Sequence, residues 1–450
     1  MPTKHETAAP VSDTAAPVMV LDGLEVHYQL TAGLLGRLFG LGTSTVKAVD
    51  GIDLTLHRGE VLGVVGESGS GKTTLGRALL GLAPTTGGSI TYQDPARGPR
   101  HVSSMHGAEL RELRTDVQMV FQDPHAALNP SMTIETAVGH PLRIHGIARG
   151  DELRRRVAAA LERVGLAPAE QFMSKMPADL SGGQKQRAVI ARAIILDPKV
   201  LVADEPVSML DMSVRAKILQ LMLDLRRDLG LTYVYITHDL ATAKFFCDRI
   251  AIMYLGRVVE IGATEEIFAD PKHPYTKALL QAIPEPDPRR SVPRDLPRGE
   301  IPDAARPPLG CSFHPRCPVA VESCGWESRD LRVLLEQHWT RIAPEAYVEE
   351  KALVGDLDHL DEPALGARLG DGGSAERVHR ILDAIRAENP DEPFWHGVES
   401  LEEQTDGLHV RFREGEDPPL RRASGVEVAC VLYPPDGSGS GGGVPPNSGQ

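Results

Sequence analysis

The chain has 450 residues, of which 41% are hydrophobic, and a formal net charge of −14 at pH 7. That is enough for two or three domains with a substantial core, and the acidic balance argues against general nucleic-acid binding, which needs a basic surface. No uncharged apolar run approaches the roughly 20 residues that cross a bilayer as a helix.

Residues 1–18 are rich in Ala, Thr and Pro and lack an apolar h-region, which reads as a disordered lead rather than a signal peptide. Residues 24–30 form a first candidate strand with Tyr28 near its end, and a long apolar loop, residues 34–41, follows. The apolar run at 61–65 then enters Gly66-Glu67-Ser68-Gly69-Ser70-Gly71-Lys72-Thr73, which fits the G-x-x-x-x-G-K-[ST] phosphate loop at every position. Its glycines let successive backbone N–H groups converge on phosphate oxygens, and the helix that opens there adds its positive end. Lys72 is placed to reach the β and γ phosphates and Thr73 to hold Mg²⁺ through its hydroxyl. Residues 66–74, ending at Thr74, are therefore read as a nucleoside triphosphate site.

Met119-Val120-Phe121-Gln122-Asp123-Pro124 sets a glutamine before a turn-forming Asp-Pro. Leu180-Ser181-Gly182-Gly183-Gln184 precedes a helix-forming run at 188–196, so Ser181 and the glycine N–H groups make a second anion site; a plain Ser-Gly helix cap has the same composition. Residues 199–206 read as a buried parallel strand ending in two carboxylates, Asp204 and Glu205. Ser208-Met209-Leu210-Asp211 follows, and a β-rich run at 232–237 delivers His238.

This ordered set resembles the ATP-binding-cassette (ABC) ATPases. The resemblance implies an α/β fold: an ABC-type P-loop NTPase core over residues 19–265 with a helical subdomain at about 120–190. It also implies roles. Tyr28 stacks on adenine, Gln122 joins the Mg²⁺ shell to the helical subdomain, and Asp204 orders the metal. Glu205 polarises the attacking water and His238 contacts the γ-phosphate. Ser181, Gly182, Gly183 and Gln184 of one subunit, with its Asp211 loop, close over the nucleotide held by another. One phosphate loop and one signature in the chain imply dimerisation, and a heterodimer with a related ATPase is expected over a homodimer.

The stretch Cys247-Asp248-Arg249-Ile250-Ala251-Ile252-Met253-Tyr254, followed by Pro271-Lys272-His273-Pro274-Tyr275-Thr276, is similar to the ATPase subunits of dipeptide and oligopeptide importers. Such a subunit hydrolyses ATP at the cytoplasmic face of the membrane as a peripheral protein, with two transmembrane permeases and an extracytoplasmic substrate-binding protein. Nickel or oligosaccharides are alternative cargoes, because the ATPase does not touch cargo. A soluble ABC ATPase of DNA repair or translation is the rival class, and the chain shows neither the long coiled-coil insert nor the second cassette common there.

Cys247 lies in an apolar helical context with Phe245, Phe246 and Ile250 and reads as a core residue. Cys311, Cys317 and Cys324 are similar to the importer ATPases' C-terminal extension (266–332), whose fourth cysteine follows in a Val-Ala-Cys context. Here that context is Val428-Ala429-Cys430, placing an inserted module at 333–422 and the end of the extension at 423–436. By resemblance, Cys311, Cys317, Cys324 and Cys430 hold a [4Fe–4S] cluster; structural Zn²⁺ or unligated thiols remain open, since the spacing does not choose. Within the insertion, Val378, Ile381, Leu382 and Ile385 share a helical face with Ser374 as cap, and Leu408, Val410 and Phe412 alternate as in a half-buried strand. The Gly/Ser/Pro-rich tail, residues 437–450, reads as disordered.

Overall fold

The computed structural model describes residues 16–30, 44–283 and 299–433. Residues 1–15 of the expected lead, the apolar loop at 34–41 and the tail at 437–450 lie outside the described residues; Pro17 and Val18, expected in a disordered lead, instead open the first strand, with Val18 buried. The chain divides into two compact units, 1–269 and 270–450.

The first unit is built on strands whose residues are buried on both faces, as parallel strands between helices must be. β3 (Val61–Val65), β7 (Val200–Asp204) and β8 (Thr232–Thr237) are buried throughout. The strand order is β10-β9-β3-β8-β7-β6, with β6 (Val117–Val120), β9 (Arg249–Tyr254) and β10 (Arg257–Ala263) completing this part of the sheet. β3 runs parallel to β8 and β9, β7 runs parallel to β8 and β6, and β10 is antiparallel to β9. Because Val65 pairs with Thr237 and Asp204 with Ile236, the carboxyl ends of β3, β7 and β8 finish side by side. Three loops therefore leave the sheet at one place, the usual ligand position in such sheets. A second, antiparallel sheet has the order β2-β1-β4-β5, from β1 (Pro17–Leu30), β2 (Ser44–His57), β4 (Gly87–Asp94) and β5 (Gly98–His101).

Apart from two four-residue turns, Pro124–Ala127 and Glu170–Met173, the α-helices of this unit are α1 (Lys72–Leu79), α2 (Ala108–Asp116), α3 (Ile134–Ile144), α4 (Gly150–Arg163), α5 (Gly182–Ile194), α6 (Met212–Leu229), α7 (Leu240–Phe246) and α8 (Thr264–Ala269). α3, α4 and α5 pack together, each through an apolar stripe such as Ile134, Val138 and Leu142 on α3 or Leu153, Val157 and Leu161 on α4. Gly139 permits the close approach: a Cβ there would lie 2.8 Å from Leu153 Cδ2. Cys247 is buried, immediately after α7 rather than within it. Phe246 is buried beside Tyr233 and Tyr235, while Phe245 is exposed, so the apolar context of Cys247 comes from the sheet side of the helix alone.

The second unit holds α9 (Pro274–Gln281), α10 (Ser328–Trp339), α11 (Pro344–Val354), β11 (Gly366–Leu369), α12 (Ala375–Glu388), β12 (Val398–Gln404), β13 (Gly407–Phe412) and the hairpin β14 (Arg421–Ala423) to β15 (Val426–Val428). β11, β13 and β12 form an antiparallel sheet in that order, and α12 packs on it. Val378, Leu382 and Ile385 of α12 are buried, as are Leu408, Val410 and Phe412 of β13, as the two periodicities require. Ser374 precedes α12, but its hydroxyl exchanges hydrogen bonds with the backbone of Asp371 instead of capping the helix. Ser424 and Gly425, at φ 47° and 91°, turn the short hairpin with the positive φ values a two-residue loop demands. α10 runs across residue 333, on buried Leu331, Leu334 and Leu335. No helix among the described residues is long and apolar enough to cross a membrane.

Candidate functional site

The loop from β3 to α1 is shaped by glycine. Gly71 has φ +98°, and a Cβ there would lie 2.0 Å from the Ala48 carbonyl oxygen; one on Gly66 would lie 2.2 Å from that of Met253. No side chain can replace either without moving backbone. Lys72 folds its Nζ back into the loop, donating to the carbonyls of Gly66 (2.8 Å) and Glu67 (2.7 Å) and to Ser70 Oγ (3.3 Å). Burial lowers its pKa, while Glu205, Asp204 and Glu67 oppose that shift. It is a confined cation at the mouth of a helix N-terminus, which is the environment a phosphate needs.

Thr73 Oγ1 donates to Asp204 Oδ1 at 3.1 Å, so the two residues read as Mg²⁺-shell groups meet across the β3 and β7 ends. Asp204 is pushed upward in pKa chiefly by burial, with Glu205 adding and the Thr73 hydroxyl opposing. A divalent cation is the natural partner for such a buried carboxylate. The next residue, Glu205, sits at φ 44°, in the left-handed region that costs an ordinary residue about 1–2 kcal/mol. It is held there by its N–H donating to Ile236 O at 2.9 Å. The twist keeps Glu205 from continuing the strand, and its carboxylate meets two other loops. Gln122 Nε2 donates to Oε2 at 3.0 Å, and His238 Nδ1 pairs with Oε1 at 2.9 Å. Two residues separated widely in sequence thus share one carboxylate. Tyr28 lies on β1 opposite Val46, 40% exposed, the condition a stacking platform needs.

Ser181 caps α5 in a reciprocal box: its Oγ accepts from Gln184 N–H (3.4 Å), and Gln184 Oε1 accepts from Ser181 N–H (3.0 Å). The neighbouring Gly183 approaches α6 so closely that a Cβ would lie 2.7 Å from Val214 Cγ1. Asp211 is the N-cap of α6 without a side-chain cap bond. Ser181 and Gln184 of the signature at 180–184 are therefore spent locally on shaping a helix start. Two partners of this region were not picked out from the sequence: Asp239, which caps α7 by accepting from the N–H groups of Ala241 and Thr242, and Arg215 on α6, which bonds it. An Asp just before a helical run is the signal that could have found the first; Arg215 carries no local signal.

The chain was compared with known proteins. A model described as "ABC transporter" matches residues 49–208, and one described as "Oligopeptide/dipeptide transporter, C-terminal region" matches 259–324. The oligopeptide transport ATP-binding protein OppF of Salmonella typhimurium is 45% identical over 304 residues, 67% of this chain and 88% of the relative. The corresponding OppF of Escherichia coli is 43% identical, over 70% of this chain and 92% of the relative. The dipeptide transport ATP-binding protein DppF of Haemophilus influenzae is 44% identical, over 72% and 94%. This chain belongs to the ABC transporter ATP-binding subunits of the oligopeptide/dipeptide class. As an ABC ATPase it binds and hydrolyses ATP.

The second unit of this ABC ATPase collects the four cysteines singled out in the sequence. Cys311, Cys317, Cys324 and Cys430 line one small pocket with His273, Pro274, Phe313 and His314. Phe313, fully buried between Cys311 and Cys317 in sequence, packs on the rings of His273 and Tyr275. Burial, with the three neighbouring thiols adding, pushes the Cys311 thiol far up; Val321 N–H donates to Cys324 Sγ at 3.3 Å. Among the described residues, no group of three or more His, Cys, Asp or Glu side chains is placed to hold a metal ion. The pocket brings the four sulfurs to one lining, with no carboxylate among them, and leaves them short of a ligand shell.

Proposed function

We propose that this chain is the ATP-hydrolysing subunit that energises peptide import. The observation that carries this reading is the match along nearly the whole length of relatives named as oligopeptide and dipeptide transport ATP-binding proteins. The partners are two transmembrane permeases, a second related ATPase and an extracytoplasmic binding protein, with this subunit peripheral at the cytoplasmic face.

In the proposed site, the 66–74 loop wraps the phosphates and Lys72 neutralises the β and γ oxygens, exchanging its carbonyl contacts for phosphate. Tyr28 stacks on the base. Thr73, Asp204 and Gln122 would hold Mg²⁺, which would supply charge neutralisation to the phosphates. Glu205 takes the proton of the attacking water, and His238, fixed against it, contacts the transferred group. Ser181, Gly182, Gly183, Gln184 and Asp211 complete the site of the second subunit, so closure is favoured while the γ-phosphate is present and lost after hydrolysis.

We further propose that Cys311, Cys317, Cys324 and Cys430 hold a [4Fe–4S] cluster, with Zn²⁺ as the alternative; what supports this is that four thiols line one pocket, although they are not drawn into a ligand shell. Bound there, the group would staple the loop-rich residues 311–324 to Cys430. The module at 333–422 lies between the third and fourth cysteines and is read as an insertion. Cys311→Ser should abolish iron and sulfide content in the purified protein; unchanged content would remove that ligand set.

The test of the whole reading is affinity purification of this chain from detergent-solubilised host membranes, with mass spectrometry of what co-elutes. Two permeases, a second ATPase and a binding protein are expected. Recovery of soluble partners alone would overturn the transport reading.

A further inference from the structure

Two loops leave the reacting end of the sheet beside Glu205: the segment from 205 to Asp211, and the turn His238-Asp239. The first is wound tightly on Glu205, whose carbonyl accepts from Ser208 N–H (3.2 Å) and Ser208 Oγ (3.0 Å), and Leu210 N–H donates to Val207 O at 3.2 Å. The second is pinned by Asp239: its N–H donates to Thr237 Oγ1 at 3.0 Å, and its Oδ1 caps α7. One side chain reaches both. Arg215, on the first turn of α6 with its N–H on Asp211 O (2.8 Å), donates through Nη1 to Asp239 Oδ2 at 3.2 Å and through Nη2 to Leu210 O at 3.5 Å. Its Nε is buried and finds no hydrogen-bond partner among the described residues, a cost that a free surface arginine would not bear. Arg215 makes none of the contacts described for Lys72, Thr73, Asp204 or Glu205.

We propose that Arg215 is a positioning residue that transmits movement of the 208–211 loop to His238. The proposal rests on the roles given above to Glu205, His238 and the 208–211 loop. When a second cassette presses on that loop, the Leu210 carbonyl carries the guanidinium with it. The guanidinium holds Asp239, and Asp239 sets His238 against Glu205. A rigid planar fork suits this task because it binds a carbonyl and a carboxylate at once, which an ammonium on a flexible stem does less well.

The test uses the assembled complex purified from host membranes. Arg215→Met keeps the stem and deletes the bridge; Asp239→Asn keeps the α7 cap and deletes the charge. The expected result for Arg215→Met is a fall in kcat of about fivefold to tenfold with KM for ATP within about twofold, because only positioning at the reacting end is lost. Nucleotide affinity of the purified chain and Tm, within about 2 °C, should be unchanged. Arg215→Lys should recover part of kcat, and Arg215→Met/Asp239→Asn should be no slower than the slower single variant, since both cut one bridge. Unchanged kcat for Arg215→Met, or losses that multiply in the double variant, would overturn the proposal. If Arg215→Met does not fold, Asp239→Asn reads the same split between kcat and KM. A wild-type complex without ATP hydrolysis would instead overturn the function proposed above, a failure separate from that of the bridge.

Discussion

Replacing Glu205 by Gln separates proton acceptance from everything else this residue does. The change is isosteric, so the left-handed backbone at φ 44° and the Glu205 N–H bond to Ile236 O are untouched. An amide oxygen can still accept from Gln122 Nε2, now 3.0 Å away, and the amide NH₂ can donate to His238 Nδ1, now at 2.9 Å, when that nitrogen is unprotonated. Stability should therefore change by less than about 1 kcal/mol. The amide cannot take a proton from water. Loss of a positioned general base slows a reaction by about 10² to 10⁴, or about 3–5 kcal/mol in the barrier. Steady-state hydrolysis by the assembled complex, with nucleotide affinity measured in parallel, gives both numbers. The expected pattern is a kcat lower by at least a hundredfold with ATP affinity within a few fold, because the cradle of Lys72 and the glycine loop is intact. A kcat within tenfold of wild type would refute the role given to Glu205, and an equal loss of ATP binding would refute the separation of cradle from base.

Gly71→Ala should weaken ATP binding by at least about tenfold in a nucleotide titration: a Cβ 2.0 Å from the Ala48 oxygen forces the loop to move, and φ +98° strains any L-residue. His273, buried and accepting the Tyr275 N–H at its Nδ1, has its pKa pushed down to about 3 by burial, with Lys277 adding. The folded chain therefore excludes a proton that the unfolded chain takes up below about pH 6.5, so this contribution to stability is complete above 6.5 and is lost as pH falls towards 3. His273→Asn, which can keep the cap on α9, should flatten the slope of stability between pH 6.5 and 4.5 by up to about 1.4 kcal/mol per pH unit in denaturant titrations; an unaltered slope would mean the imidazole does not govern it.

The parts legible in the sequence are those whose physics is local. A five-residue apolar run before Gly66, and a four-residue one before Asp204, announce buried parallel strands, and the glycine spacing announces a phosphate cradle because only backbone geometry is needed to make one. The Val-Ala-Cys context at 428–430 is tied to the earlier cysteines by resemblance and not by local physics; Cys430 lines the pocket of Cys311, Cys317 and Cys324 without completing a metal site. What was not readable depends on where strands end in register. That Gln122 and His238 both bond one carboxylate follows from Asp204 lying beside Ile236, which no local pattern reports. The same holds for Arg215 and Asp239, which meet only because α6 and α7 start beside each other. Ser374 shows the opposite failure: its position before a helix is right for a cap, but Asp371 offers its hydroxyl backbone partners first. Phe245 belongs by composition to the apolar context of Cys247, yet it is Phe246 that packs on Tyr233 and Tyr235 while Phe245 is exposed.

Uptake of a labelled peptide by the host, with this chain deleted and then restored as wild type or as Lys72→Ala, tests peptide energisation most directly. Uptake should vanish on deletion, return with the wild-type chain and stay absent with Lys72→Ala, whose loop can no longer neutralise the phosphates. Uptake that persists without the chain, or that Lys72→Ala restores in full, would show that ATP hydrolysis by this subunit does not drive peptide import.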